Sequence, residues 1–219
     1  MKIDKNSYGT IACAWLVSGV IIYLCMTFIP IRGLAYTISA IFLLYALFVT
    51  WFHRVPVRHT PNGEKIVTSG ADGKVVIIQK VFEKEYLKKE CIQVSVYMNF
   101  FNVHANFWPV DGSIDYYKYY PGEHFFASKP KASEENEHSC VGIVTPSGQK
   151  VFFKQIAGGF ARRIVCYGKS HTEARSGEQC GIIKFGSRID MFLPLDADIK
   201  VQVGDYVRAC ETVLAELSE

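Results

Sequence analysis

Gly181-Ile182-Ile183-Lys184-Phe185-Gly186-Ser187-Arg188-Ile189-Asp190-Met191-Phe192-Leu193-Pro194 reads as two short apolar strands with a Gly-Ser step between them. Glycine weakens a strand and marks a bulge or a close backbone approach, so Gly186-Ser187 interrupts the run where a plain strand former is expected. On either side the same grammar continues, with short β-rich runs cut by turn residues. Residues 75–78 follow Asp72-Gly73, 92–98 alternate, and 140–145 and 151–156 flank Ser147-Gly148, a hairpin signal. Further strands are predicted at 116–120, 164–167, 181–185, 189–193 and 207–217. The only helix-like stretch beyond residue 63, 132–138, is short and acidic, so this part of the chain is mainly antiparallel β.

Upstream the character changes. Of 24 Lys and Arg and 21 Asp and Glu, only Lys2, Asp4, Lys5 and Arg32 fall in the first 52 positions. Residues 8–31 and 33–52 carry no charge except Arg32 between them, and as helices they would span about 36 and 30 Å, each enough to cross a bilayer. Ile11, Leu16, Val20, Leu24 and Phe28, then Leu34, Ile38, Ile41, Leu44 and Phe48, leave no polar face for a helix lying on the surface. A second span follows the first at once, which does not suit a cleaved signal peptide. Lys2 and Lys5 precede the first run and Arg54 and Arg58 follow the second, which predicts both ends on the cytoplasmic side. The sequence therefore divides into a membrane hairpin (1–53), a linker with Pro56 and Pro61 (54–63) and a β-rich domain (64–219).

The net charge of +3 is scattered, and no basic stripe with interleaved aromatics suggests nucleic acid as a partner. Seven cysteines show neither CxxC spacing nor a repeat, so no metal site or disulfide framework is expected, and reduced cysteines fit a domain facing the cytoplasm.

Three residues invite chemical interest. His104 sits in Phe100-Phe101-Asn102-Val103-His104-Ala105-Asn106-Phe107-Trp108, where an imidazole needs partners or stays neutral. Asp72 precedes a strand, in a turn-like Asp-Gly. Ser187 follows the glycine of the broken strand. His124 reads, like His104, as a core residue, whereas His53, His59, His138 and His171 stand among polar or linker residues and are expected to be solvated.

Taken in order, Ala71-Asp72-Gly73, Asn102-Val103-His104, Lys131-Ala-Ser-Glu-Glu-Asn-Glu137, Gln155-Ile-Ala-Gly-Gly-Phe-Ala-Arg-Arg163 and Phe185-Gly186-Ser187-Arg188 resemble the phosphatidylserine decarboxylase family, in its short two-span bacterial form. The last stretch, from Asp196 on, resembles the hammerhead half of biotinyl and lipoyl carrier domains, without a carrier lysine tip. The family resemblance covers nearly everything from residue 64 onward. It implies a decarboxylase-like β domain with a hammerhead or barrel-sandwich-like C-terminal part, and a processing triad of Asp72, His104 and Ser187.

Serine needs a base to become a nucleophile, and a histidine oriented by a carboxylate is the usual device. The resemblance then implies that Ser187 attacks the Gly186 carbonyl. The chain would part into 1–186 and 187–219, the second capped by a pyruvoyl group made from Ser187. That ketone would condense with the serine amine of phosphatidylserine and accept the electrons released with CO2, giving phosphatidylethanolamine without an added cofactor or metal. The two products would remain as a heterodimer at the cell membrane, with further dimerisation suggested by the family. Phe101 stands where longer members carry a second histidine, leaving His104 first and His124 second to protonate the decarboxylated carbon. Arg188 replaces a threonine, either to bind phosphate or carboxylate or as a salt-bridged structural residue. Two other classes stay open: a membrane-anchored Ser-His-Asp hydrolase, which lacks a Gly-x-Ser-x-Gly elbow, and a non-catalytic β adaptor.

Overall fold

The computed structural model describes residues 1–127, 132–159, 163–184 and 187–218 and divides the chain into two units, Met1–Val57 and Arg58–Glu219.

In the first unit, β1 (Lys2–Ile3) leads into α1 (Tyr8–Phe28) and α2 (Arg32–Phe52), and β2 (Arg54–Val55) closes back on β1. Both helices are long and apolar enough to cross a membrane. Helix α1 stops at Phe28 because Pro30 disfavours helical backbone at Ile29, whose ψ is 114°. Arg32 then donates to the Met26 carbonyl at 3.0 Å, satisfying one of the acceptors that a helix end leaves open. Between the helices Trp15 Nε1 donates to Thr50 Oγ1 at 3.0 Å. His53, expected to be solvated, is instead fully buried, with Nδ1 2.7 Å from the Val49 carbonyl. The last helical turn offers that acceptor within the ring's reach, which a reading of its polar neighbours missed.

The second unit runs β3 (Ile66–Thr68), β4 (Gly73–Glu83), β5 (Lys89–Met98), β6 (Ala105–Phe107), β7 (Gly112–Tyr120), α3 (Ala132–Glu135), β8 (His138–Val144), β9 (Lys150–Ala157), β10 (Arg163–Cys166), β11 (Thr172–Ala174), β12 (Gln179–Lys184), β13 (Ser187–Leu193), β14 (Asp198–Ile199), β15 (Tyr206–Val207) and β16 (Val213–Glu216). An eight-stranded sheet has the order β11-β7-β8-β9-β13-β5-β4-β15, and two three-stranded sheets are β10-β12-β6 and β14-β16-β3. Every named pairing is antiparallel.

Strand β13 lies between β9 and β5 and is buried on both faces, which is why 189–193 reads as a nearly continuous apolar run. Ile189, Met191 and Leu193 enter the main core with Val94, Val96 and Phe153. Phe192, on the other face, joins a smaller cluster with Leu87, Cys91, Cys140 and Phe152. The predicted hairpin forms at Ser147-Gly148, where Gly148 takes φ +82°. Gly73 serves a different purpose from the turn expected of Asp-Gly. It opens β4, and a Cβ there would stand 2.2 Å from the Tyr97 carbonyl oxygen.

Three short strands, β3, β6 and β11, have no apolar alternation to announce them. The predicted strand 207–217 divides into β15 and β16, which pair with different sheets.

Candidate active site

The register carries one transverse row across five strands: Lys74 opposite Tyr97, Tyr97 opposite Arg188, Arg188 opposite Ile156, and Ile156 opposite His138. Residues beside that row therefore gather at one end of the sheet. Asp72 precedes Lys74 by two positions, Ser187 adjoins Arg188, and Glu137 adjoins His138. At the same end, β12 pairs with β6, and Ile183 N–H donates to the His104 carbonyl at 3.3 Å. Segments far apart in sequence thus come together at the end of the sheet where Ser187 begins β13. Gly186 and Phe185 lie outside the described residues, as do Lys131 and residues 160–162 of the other motifs.

Ser187 is fully buried, opposite Met98 on β5 and Ala157 on β9, and its Oγ donates to Met98 Sδ at 3.6 Å. Thioether sulfur is a weak acceptor, so the hydroxyl proton is held loosely.

His104 is also fully buried, with Nδ1 3.0 Å from the Asn102 carbonyl. A carbonyl can only accept, so Nδ1 carries the proton, and in the neutral ring Nε2 keeps the basic lone pair. A backbone carbonyl therefore does the orienting that was expected of Asp72.

The Asp72 carboxylate has other partners: Oδ2 accepts from Arg58 Nη2 at 2.7 Å, and Oδ1 accepts from the Ala209 N–H at 2.8 Å. The structure brings the Asp72 segment alongside β6, where Phe107 N–H donates to the Gly70 carbonyl at 3.0 Å. The described hydrogen bonds do not join Asp72 to His104.

Arg188, on the opposite face of β13 from Ser187, is fully buried against Asp190, which settles its pairing as a salt bridge within the fold. His124 is a surface residue rather than the expected core residue; Nε2 lies 3.3 Å from Glu137 Oε2, with the histidine side chain 38% exposed. Glu137, buried, also accepts from the Ile164 N–H at 3.1 Å and from the Tyr119 hydroxyl at 3.0 Å. His138, expected to be solvated, is buried at the head of β8, stacked on the Tyr120 ring at 4.8 Å, and burial lowers its pKa. Among the described residues, no group of three or more His, Cys, Asp and Glu is arranged to hold a metal ion.

Asn106, Gln155 and Ser139, none of them marked as a site residue by its sequence setting, form a buried hydrogen-bonded chain beside Ser187. Asn106 Oδ1 accepts from Gln155 Nε2 at 2.8 Å, and Gln155 Oε1 accepts from Ser139 Oγ at 2.8 Å. Gly181 admits this chain, since a Cβ there would lie 2.8 Å from Gln155 Nε2. A signal existed in β9, where Val151, Phe153 and Ala157 point into the core and Gln155 occupies the same face.

Comparison with known proteins places the chain in one family. The family model described as "Phosphatidylserine decarboxylase" matches residues 45–215. A phosphatidylserine decarboxylase proenzyme of Parabacteroides distasonis is 36% identical over 220 residues, covering 100% of each chain. That of Cytophaga hutchinsonii is 38% identical over 217 residues and 99% of each chain. That of Nitrosomonas europaea is 47% identical over 175 residues, 80% of this chain and 81% of its own.

Proposed function

The chain belongs to the phosphatidylserine decarboxylase family, and from that premise we propose that it converts phosphatidylserine to phosphatidylethanolamine through a pyruvoyl group that it makes from Ser187. The observation that carries the reading is the burial of Ser187 at the head of β13, at the sheet end where the Asp72 and His104 segments also arrive.

His104 Nε2 takes the Ser187 hydroxyl proton as Oγ bonds to the Gly186 carbonyl carbon. The Gly186–Ser187 peptide bond breaks, the proton passes to the Ser187 nitrogen, and an ester joins the two segments. Removal of the Ser187 α-proton expels the Gly186 carboxylate and leaves dehydroalanine. Water adds to that residue and ammonia departs. The products are 1–186 and 187–219, the latter capped by the keto group. Asp72 belongs to the same processing set; braced by Arg58 and Ala209, its carboxylate would exchange a partner to reach the imidazole.

The residues opposite position 187 suit such a cap. Serine's hydroxymethyl becomes a methyl, and the Met98 thioether and the Ala157 methyl are apolar neighbours for it. When present, the group supplies a carbonyl that takes the substrate amine and accepts the electron pair left when CO2 departs. The chain's own part is to bury that carbonyl, to exclude water and to return a proton to carbon, for which His104 is the first candidate.

Cleavage need not separate the products. Strand β13 is paired on both edges, β15 with β4 and β16 with β3, so the short chain stays woven into the sheets as one half of a heterodimer. We assign residues 1–53 to a membrane hairpin, 54–63 to a linker and 64–219 to the catalytic domain. Lys2, Lys5, Arg54 and Arg58 favour the cytoplasmic side for the domain.

Incubating purified membranes with labelled phosphatidylserine and a carbonyl reagent tests substrate and prosthetic group together. Labelled phosphatidylethanolamine, formed without the reagent and suppressed by it, is the expected result; conversion that the reagent leaves untouched would overturn the reading.

A further inference from the structure

Two buried donors share one poor acceptor beside the processing serine. Ser187 Oγ and Asn106 Nδ2 approach Met98 Sδ at 3.6 and 3.7 Å, and all three residues are fully buried. The amide cannot turn to improve its position. Its Oδ1 is held by Gln155 Nε2 at 2.8 Å, and Gln155 is held in turn by the Ser139 hydroxyl at 2.8 Å, with Gln155 and Ser139 also fully buried. Ser139 and Gln155 are directly paired on one face of the eight-stranded sheet, Ser187 lies on that same face opposite Ala157, two positions along β9 from Gln155, and Asn106 reaches toward them from β6 of the three-stranded sheet. The chain of amides thus aims an N–H donor toward position 187 and gives it only sulfur among the described residues. A buried polar group left with so weak a partner calls for an acceptor that is not yet present.

Resting on the function proposed above, we infer that Asn106 Nδ2 donates a hydrogen bond to the carbonyl oxygen that self-processing creates at position 187. Processing removes the serine hydroxyl, one of the two donors on Met98, and installs a ketone oxygen in its neighbourhood. A neutral amide polarises that ketone without placing a competing charge in a buried site. Prealigned donors of this kind are worth about 10²–10³ in rate when negative charge develops on the oxygen they face.

The test compares wild-type protein with Asn106→Ala and Gln155→Leu, the latter keeping the amide but freeing it to rotate. All three are expected to release the 187–219 fragment. In Asn106→Ala the cap should react with hydroxylamine about tenfold more slowly, its ketone infrared stretch should move to higher frequency, and kcat should fall about 10²-fold with little change in KM. Gln155→Leu should show the same changes to a smaller degree. A cap that reacts at the wild-type rate with an unshifted stretch in Asn106→Ala overturns the inference, as does a failure of the folded variant to self-cleave, which would place Asn106 in processing instead. Should Asn106→Ala not fold, unchanged cap reactivity in Gln155→Leu overturns it. A wild-type protein without any carbonyl-bearing fragment defeats the functional reading, a result distinct from all of these.

Discussion

Arg188 and Asp190, two positions apart on β13, meet with Nε 2.8 Å from Oδ1 and Nη2 donating to Oδ2 at 3.0 Å, and neither side chain has any exposed surface. Asp190 Oδ2 also accepts from Gln93 Nε2 at 3.1 Å and from Ser133 Oγ at 2.5 Å, and Arg188 Nη1 donates to the Ala127 carbonyl at 3.0 Å. The residue that would become second in the cleaved chain is thereby fastened to β5 and to the segments around Ala127 and Ser133. Removing one partner of such a pair strands a buried charge. Asp190→Ala should cost about 3–5 kcal/mol in a denaturant titration of the detergent-solubilised protein, while Arg188→Met with Asp190→Leu should recover most of that loss. A double variant as unstable as the single one would contradict this.

Acid should destabilise the fold through His138. Burial holds the folded pKa of this residue below the ordinary value near 6.5. Above that value both states are neutral and the residue contributes no pH dependence. Below it the unfolded chain takes the proton first, so stability falls with pH until the folded pKa is passed. The denaturation midpoint should drop between pH 7 and pH 5 by more in wild type than in His138→Gln; equal slopes would show that His138 is not responsible.

The cysteines make a chemical prediction. Burial pushes the Cys91 and Cys166 thiols up to about 11 and the Cys210 thiol up to about 12. Their thiolate population at pH 7.5 is therefore negligible. Iodoacetamide should leave all three unmodified in the folded protein and label them once denaturant is added, as peptide mass mapping would reveal. Rapid labelling of Cys91 or Cys210 in the native state would contradict their burial.

How far the fold could be read from residues depended on periodicity. The two charge-free runs and the strands around 92–98, 140–145 and 151–156 were legible because composition and alternation report burial directly. Strands β6 and β11, three residues each, are too short to show a period, and they exist because longer neighbours supply their hydrogen bonds. At the site, Ser187 and His104 were singled out by their settings, a broken strand and an aromatic run. The partners of Asp72 were not legible, because Arg58 and Ala209 reach it only through tertiary contact. His138 was misjudged for the same reason: its sequence neighbours are polar, but β8 carries it onto Tyr120. Asn106 was hidden among aromatics, and its importance rests on which way Gln155 makes it face.

Intact-mass analysis under denaturing conditions, applied to protein purified from membranes, tests the central claim most directly. Wild type should separate into a chain ending at Gly186 and a 187–219 chain whose N-terminus is blocked by a keto group. Ser187→Ala should remain a single chain, and His104→Ala should be cleaved far more slowly. An uncleaved wild-type chain that still decarboxylates phosphatidylserine would contradict the account.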